Sequence, residues 1–73
     1  LHKTWVWISP IDAIETMSAN ERSLAIERAE LYAASIFRTS ENIVVTDIRS
    51  SIIPDPNAPS WYVIKTILKG YSR

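Results

Sequence analysis

The sequence contains no cysteine, a single glycine and a single histidine. Without cysteine, neither a disulfide nor a thiolate metal site can form. The lone histidine, His2, cannot supply the cluster of imidazoles that a histidine-based metal site needs. Because Gly70 is the only glycine, a glycine-rich phosphate loop is excluded as well. The sequence therefore predicts neither a metal nor a cofactor.

An excess of charge of one sign is also lacking. The 73 residues carry 8 lysines and arginines against 8 aspartates and glutamates. Nonspecific binding to nucleic acids depends on neutralising phosphates, so a balanced charge argues against a general polyanion binder. The charge is nevertheless uneven, because the chain from Trp61 onward contains Lys65, Lys69 and Arg73 and no acid. This end of the chain forms a local basic patch.

Long hydrophobic runs are missing too. No apolar run approaches the length of about 18 residues that a membrane-spanning helix requires, and the apolar stretch at the start is too short for a signal peptide. Hydrophobic residues still make up 47% of the chain, which is too apolar for a disordered segment. We expect one small α/β domain over residues 1–73 and no membrane association. A partner chain is the reinforcement that remains for so small a scaffold.

Strand and helix signals follow one another in the order β-α-β-β. Residues 1–8 divide into two alternating sides and are rich in β-branched and aromatic side chains, as is typical of a strand. Ser9 and Pro10 then resemble a helix start and predict a short helix over residues 10–17. The spacing of Ser18 and Glu21 matches a capping box and predicts a long helix over residues 19–38. A single helix kinked at residues 18–20 is the alternative.

The second half of the chain is rich in β-formers. Residues 43–53 predict a strand, and residues 60–71 predict another. The three prolines of residues 54–59 predict a stiff connection outside both strands, because proline lacks the ladder donor. The predicted fold is α/β, of the α+β kind: a three-stranded sheet with one face covered by a long helix, with or without a short helix before it.

The long helix has one apolar stripe, built on a ridge of Ala25, Ala29 and Ala33, so it can cover one face of the sheet. We expect the aliphatic residues of one parity to lie beneath it. These residues are Val6, Ile8, Val44, Ile48, Ile52, Ile64 and Leu68.

The opposite parity then predicts a second face that holds all three tryptophans. An aromatic patch of that size indicates a surface that is covered by something else. The predicted partner-binding residues on this face are Trp5, Trp7, Arg49, Trp61, Val63, Lys65, Lys69 and Tyr71. A strand register shifted by one residue would exchange the two faces and place the tryptophans in the core.

Trp, Tyr and Arg are enriched at interface hot spots, so the sequence predicts a non-enzymatic protein-interaction or assembly module. Its partner is a second protein or another copy of the chain in a homo-oligomer. Leu24 and Leu31, seven residues apart on the long helix, form a second, narrower apolar line and suggest a further contact. The alternative function is single-stranded nucleic-acid binding, with bases stacked on tryptophans and phosphates held by lysines.

Catalysis has little support in the sequence. Two carboxylate pairs with helical spacing, Asp12 with Glu15 and Glu27 with Glu30, are better explained by the helix dipole and by a solvated helix face. No serine–histidine–acid combination is available beyond the lone His2. We therefore predict no catalytic residues and no small-molecule substrate.

Overall fold

The computed structural model describes residues 2–11 and 14–73, apart from the side chains of residues 59 and 60. The predicted order of elements and the small α/β fold are confirmed, with one long helix on a three-stranded sheet. The predicted dipole position of Asp12 lies outside the described residues. The elements are β1 (His2–Ile11), a 3₁₀ turn (Ile14–Thr16), α1 (Ala19–Ser40), β2 (Ile43–Asp55) and β3 (Ala58–Ser72).

The last strand lies in the centre of the sheet. The strand order is β1-β3-β2, and β3 pairs in antiparallel fashion with both neighbours. Strands β2 and β3 form a hairpin whose turn is tightened by the Asn57 amide, which donates to Asp55 Oδ1 at 2.9 Å. Strands β1 and β2 are therefore the two edges, and they run parallel to each other on either side of β3.

The capping box predicted for α1 is present. The amide of Glu21 donates to Ser18 Oγ at 3.2 Å, and the amide of Ser18 donates to Glu21 Oε1 at 3.1 Å. The helix runs to Ser40, slightly beyond its predicted end. Asn42 then adopts a φ of 51°, the left-handed conformation that asparagine tolerates after a helix, and leads directly into β2.

Two predictions about prolines were wrong. Pro10 lies within β1 rather than in a helix, and among the described residues before α1 the helical structure is the 3₁₀ turn. Pro54 lies within β2, and the backbone of residue 59 lies within β3, so the predicted stiff connection outside both strands is reduced to a tight turn. Edge strands and strand starts tolerate proline, because its missing N–H removes no ladder hydrogen bond there.

A β-bulge divides β2 into two parts. Val45 lies opposite Gly70 and Asp47 lies opposite Lys69, which leaves Thr46 as the extra residue. The Thr46 hydroxyl donates to the Lys69 carbonyl oxygen at 3.2 Å. Because the bulge changes the parity of the strand, Val45 packs toward α1. The prediction that Val44 lies beneath the helix was wrong for this reason, since Val44 pairs with Tyr71 on the other face.

The core lies between α1 and the sheet in two clusters. One cluster centres on Ile11, Ala29 and Ile64, with Ile52 packed against it. The other centres on Ala33, Ala34 and Leu68, with Ile48 packed against it. The alanine ridge behaves as predicted, because its short side chains let the helix backbone approach the sheet closely.

The two sides of strand β1 are exchanged relative to the prediction. Its tryptophans lie on the helix side of the sheet, and its aliphatic residues lie on the other side. Trp7 packs against the Leu68 cluster, and the rings of Trp5 and Trp7 lie 5.9 and 6.1 Å from the Phe37 ring. Val6 and Ile8, predicted to be core, are 51% and 52% exposed on the other side. The alternation of β1 was ambiguous because both of its sides are apolar, and the register of Trp5 opposite Leu68 decides the outcome.

The close approach of the bulge to β3 makes Gly70 a strong test of the fold. A Cβ at this position would collide with the Val44 carbonyl oxygen and lie 3.3 Å from the Val45 Cα. We expect Gly70→Ala to lower the free energy of unfolding by about 1–3 kcal/mol, because backbone on both strands must shift. The matched control Lys69→Ala, at an exposed neighbouring site, should change it by less than about 0.5 kcal/mol. Urea denaturation measures both, and an unchanged Gly70→Ala midpoint would contradict the bulge geometry.

Candidate interaction surface

The face of the sheet turned away from α1 is the candidate site, and we call it the open face. Its central row comes from β3 and is flanked by residues of β1 and β2 that pair with that row. The open face consists of Thr4, Val6, Ile8 and Pro10 from β1, Trp61, Val63, Lys65, Ile67, Lys69 and Tyr71 from β3, and Val44, Asp47, Arg49, Ser51 and Ile53 from β2.

Large apolar side chains are exposed on this face. Val6 and Ile8 are about half exposed, and Trp61 is 55% exposed. Ile67, which pairs with Val6, continues the apolar surface across the sheet. Isolated exposed aliphatic residues are common on proteins, but several of them together with an indole form a patch that water solvates poorly.

A shallow concavity lies beside the β2–β3 hairpin. It has a volume of about 390 Å³ and is lined by Ile8, Ile53, Val63, Lys65 and the hairpin residues 55–57. Val63, only 6% exposed, is the most buried of its apolar lining residues. The concavity is mostly apolar, with the Lys65 ammonium and the Asp55 carboxylate among its lining groups, which suits an apolar side chain of a partner better than a charged one.

The charges on the open face have both signs. Arg49 Nε lies 3.3 Å from Asp47 Oδ2, and both side chains are substantially exposed. Such an exposed pair adds little stability, about 0–1 kcal/mol. Lys65 and Lys69 lie along the central strand, with Lys69 directly opposite Asp47. These charges lie among the apolar side chains of the face and would orient a partner rather than supply most of its binding energy.

The structure brings most of the predicted partner-binding residues together. The residues that share the open face are Arg49, Trp61, Val63, Lys65, Lys69 and Tyr71. Trp5 and Trp7 are on the helix side instead, where Trp7 Nε1 donates to Ser9 Oγ at 2.9 Å. The sequence prediction did not place Val6 and Ile8 on the open face. The feature that could have indicated them is that both sides of β1 are apolar.

The outer side of α1 carries the predicted second contact line. Leu24 and Leu31 are both more than half exposed, as expected from their spacing. Tyr32, expected in the apolar stripe, is 59% exposed although its ring lies 5.6 Å from that of Trp7. This region is narrower than the open face and is separated from it by the sheet.

A chain of polar groups joins α1 to the sheet. The Ser50 hydroxyl donates to Glu30 Oε2 at 2.9 Å and lies 3.0 Å from Thr66 Oγ1. Because the single Ser50 proton is used on Glu30, Thr66 donates to Ser50. Glu30 is therefore turned partly toward the sheet, and its prediction as part of a solvated helix face was wrong. The chain satisfies Thr66, which is fully buried, and so has a structural role.

Residues 2–11 and 14–73 contain no group of three or more metal-ligating side chains. No helix within the same ranges has both the length and the apolar character needed to cross a membrane. Comparison with protein-family models, curated proteins and solved structures gives no match. The geometry of the chain itself is therefore the basis for any functional proposal.

The polar chain can be tested by removing its members singly and together. Ser50→Ala should lower the free energy of unfolding by about 1–3 kcal/mol, because the buried Thr66 hydroxyl loses its partner. Adding Thr66→Val should recover most of that loss, since an apolar pair needs no hydrogen bond. Ser51→Ala, exposed on the same strand, is the matched control. Chemical denaturation of the wild type, Ser50→Ala, Thr66→Val and the double variant gives the coupling, and strictly additive losses would contradict the hydrogen-bonded chain.

Proposed function

We propose that the chain is a non-enzymatic protein-interaction or assembly module that buries its open face against a protein partner or a second copy. The observation that carries the proposal is the exposure of Trp61, Val6 and Ile8 together on one side of the sheet. A surface of this kind costs solvation free energy while it remains uncovered.

The arrangement of the open face resembles that of an interface hot spot. Trp61 is a large anchor at one end of the face, and the concavity floored by Val63 offers a site for a partner's side chain. Burying apolar area there would contribute about 25 cal/mol per Å² before the costs of association. Lys65 and Lys69 on the central strand and Arg49 on β2 lie among the apolar side chains and would guide encounter and orientation.

Single-stranded nucleic acid is the competing proposal, and the fold weakens it. A stacking platform uses several aromatic side chains along a basic groove. Two of the three tryptophans, Trp5 and Trp7, are engaged with Phe37 on the helix side, which leaves Trp61 as the indole of the open face. The balanced charge of the chain also disfavours phosphate-driven binding.

The fluorescence of Trp61 tests the proposal, because the difference between the wild type and Trp61→Phe isolates this indole while leaving the core intact. We expect acrylamide quenching of Trp61 to decrease as the protein concentration rises from micromolar to millimolar, since a second copy covers the open face. The molecular mass from light scattering should double over the same range. Leu31→Ser, on the outer side of α1, should leave both changes unaltered.

The same difference signal separates the competing functions. A short oligothymidylate at low salt should leave Trp61 unchanged if the module binds proteins. Quenching by the oligonucleotide that disappears as salt is added would instead support nucleic-acid binding. If Trp61 stays fully quenchable at all protein concentrations, the open face does not bind a second copy.

A further inference from the structure

The two edges of the sheet differ in how well they are protected against pairing. Strand β2 carries a bulge at Thr46, a proline at Pro54 and the charged residues Asp47 and Arg49. Bulges, prolines and charges are the features by which proteins prevent a sheet edge from adding another strand. Strand β1 pairs with β3 without a register shift from His2 to Ile11, and its proline lies near the end. The outer edge of β1 is therefore open to pairing along most of its length.

Apolar side chains flank this edge on both faces. On the helix side Trp5 and Trp7 are only partly buried, because α1 packs mainly over β2 and β3. On the open face Val6 and Ile8 are half exposed. A strand added beside β1 would pair its outward backbone groups and cover apolar surface on both sides at once.

The sequence of β1 is nearly symmetric about Val6. In KTWVWIS, an antiparallel copy centred on Val6 sets Trp5 opposite Trp7 and Thr4 opposite Ile8. Lys3 then faces Ser9, so the only charged side chain within this stretch meets no like charge. All paired residues keep the same parity, which leaves the indoles of both copies on the helix side. The strand is thus complementary to itself.

We propose that β1 pairs with β1 of a second copy about a twofold axis at Val6. The two three-stranded sheets become one continuous sheet with both helices on the same side. The contact is isologous and closed, and the outermost strands of the dimer are the two protected β2 edges, so pairing through sheet edges stops at two copies. This inference goes beyond the proposed function, because it uses the sheet edge and leaves the open faces side by side as one larger surface.

Charge substitution at the twofold axis tests the pairing. Val6→Lys and Val6→Glu each place like charges opposite one another, and each should weaken dimerisation by about tenfold or more. An equimolar mixture of the two variants should regain the dimer mass by light scattering, since opposite charges then meet at the axis. Dimers that persist in both separate variants, or a mixture that stays monomeric, would overturn the proposal. So would a wild-type protein that is monomeric at millimolar concentration.

Disulfide trapping distinguishes the edge contact from a contact through the open face. The chain has no cysteine, so Val6→Cys supplies a single thiol per copy. Directly opposed residues have Cβ atoms about 4.5–5.5 Å apart, near the range that a disulfide bridges. Mild oxidation should convert Val6→Cys to a covalent dimer, while Trp61→Cys, beyond the β1 pairing, should not form one. Efficient trapping at residue 61 alone would overturn edge pairing. A wild-type dimer in which Trp61 remains fully quenchable would support edge pairing, whatever the outcome for the proposed function.

Discussion

The register of the central strand β3 against its two neighbours determines on which face each side chain of the sheet lies. Leu68 is paired with Trp5 on one side and with Ile48 on the other, so these residues form one row beneath α1. A single helix can shield one face of a three-stranded sheet, and the opposite parity is left to solvent. The exposure of Trp61 and the burial of Leu68 are two consequences of this one constraint.

The sequence predicted the order of the helix and strands well, but it predicted which side of the strand faces α1 for only some strands. In β3, Ile64 and Leu68 alternate with lysines, so the buried side was evident, and Ser18 with Glu21 specified the helix start. In β1 both sides are apolar, and local alternation cannot choose between them, because the choice is made by pairing with β3. The bulge at Thr46 could not be predicted from the local sequence either, because it depends on the contact with Gly70 across the hairpin.

The existence of an open face was therefore predicted, but its composition only in part. The lysines and Trp61 were placed correctly because they belong to β3, whose parity was clear. Val6 and Ile8 replace Trp5 and Trp7 on the open face, so the surface is more aliphatic and less aromatic than expected. This change favours a protein partner over stacked bases. The indoles of Trp5 and Trp7 lie instead at the β1 edge, where a second copy of β1 would pack beside them.

Hydrogen exchange of the indole N–H protons, followed by NMR at low protein concentration, tests the assignment of faces most directly. The account predicts slow exchange for Trp7, whose Nε1 donates to Ser9 Oγ beneath α1, and fast exchange for the exposed Trp61. The reverse pattern, with Trp61 protected and Trp7 exchanging freely, would contradict the register of the sheet and the open face derived from it.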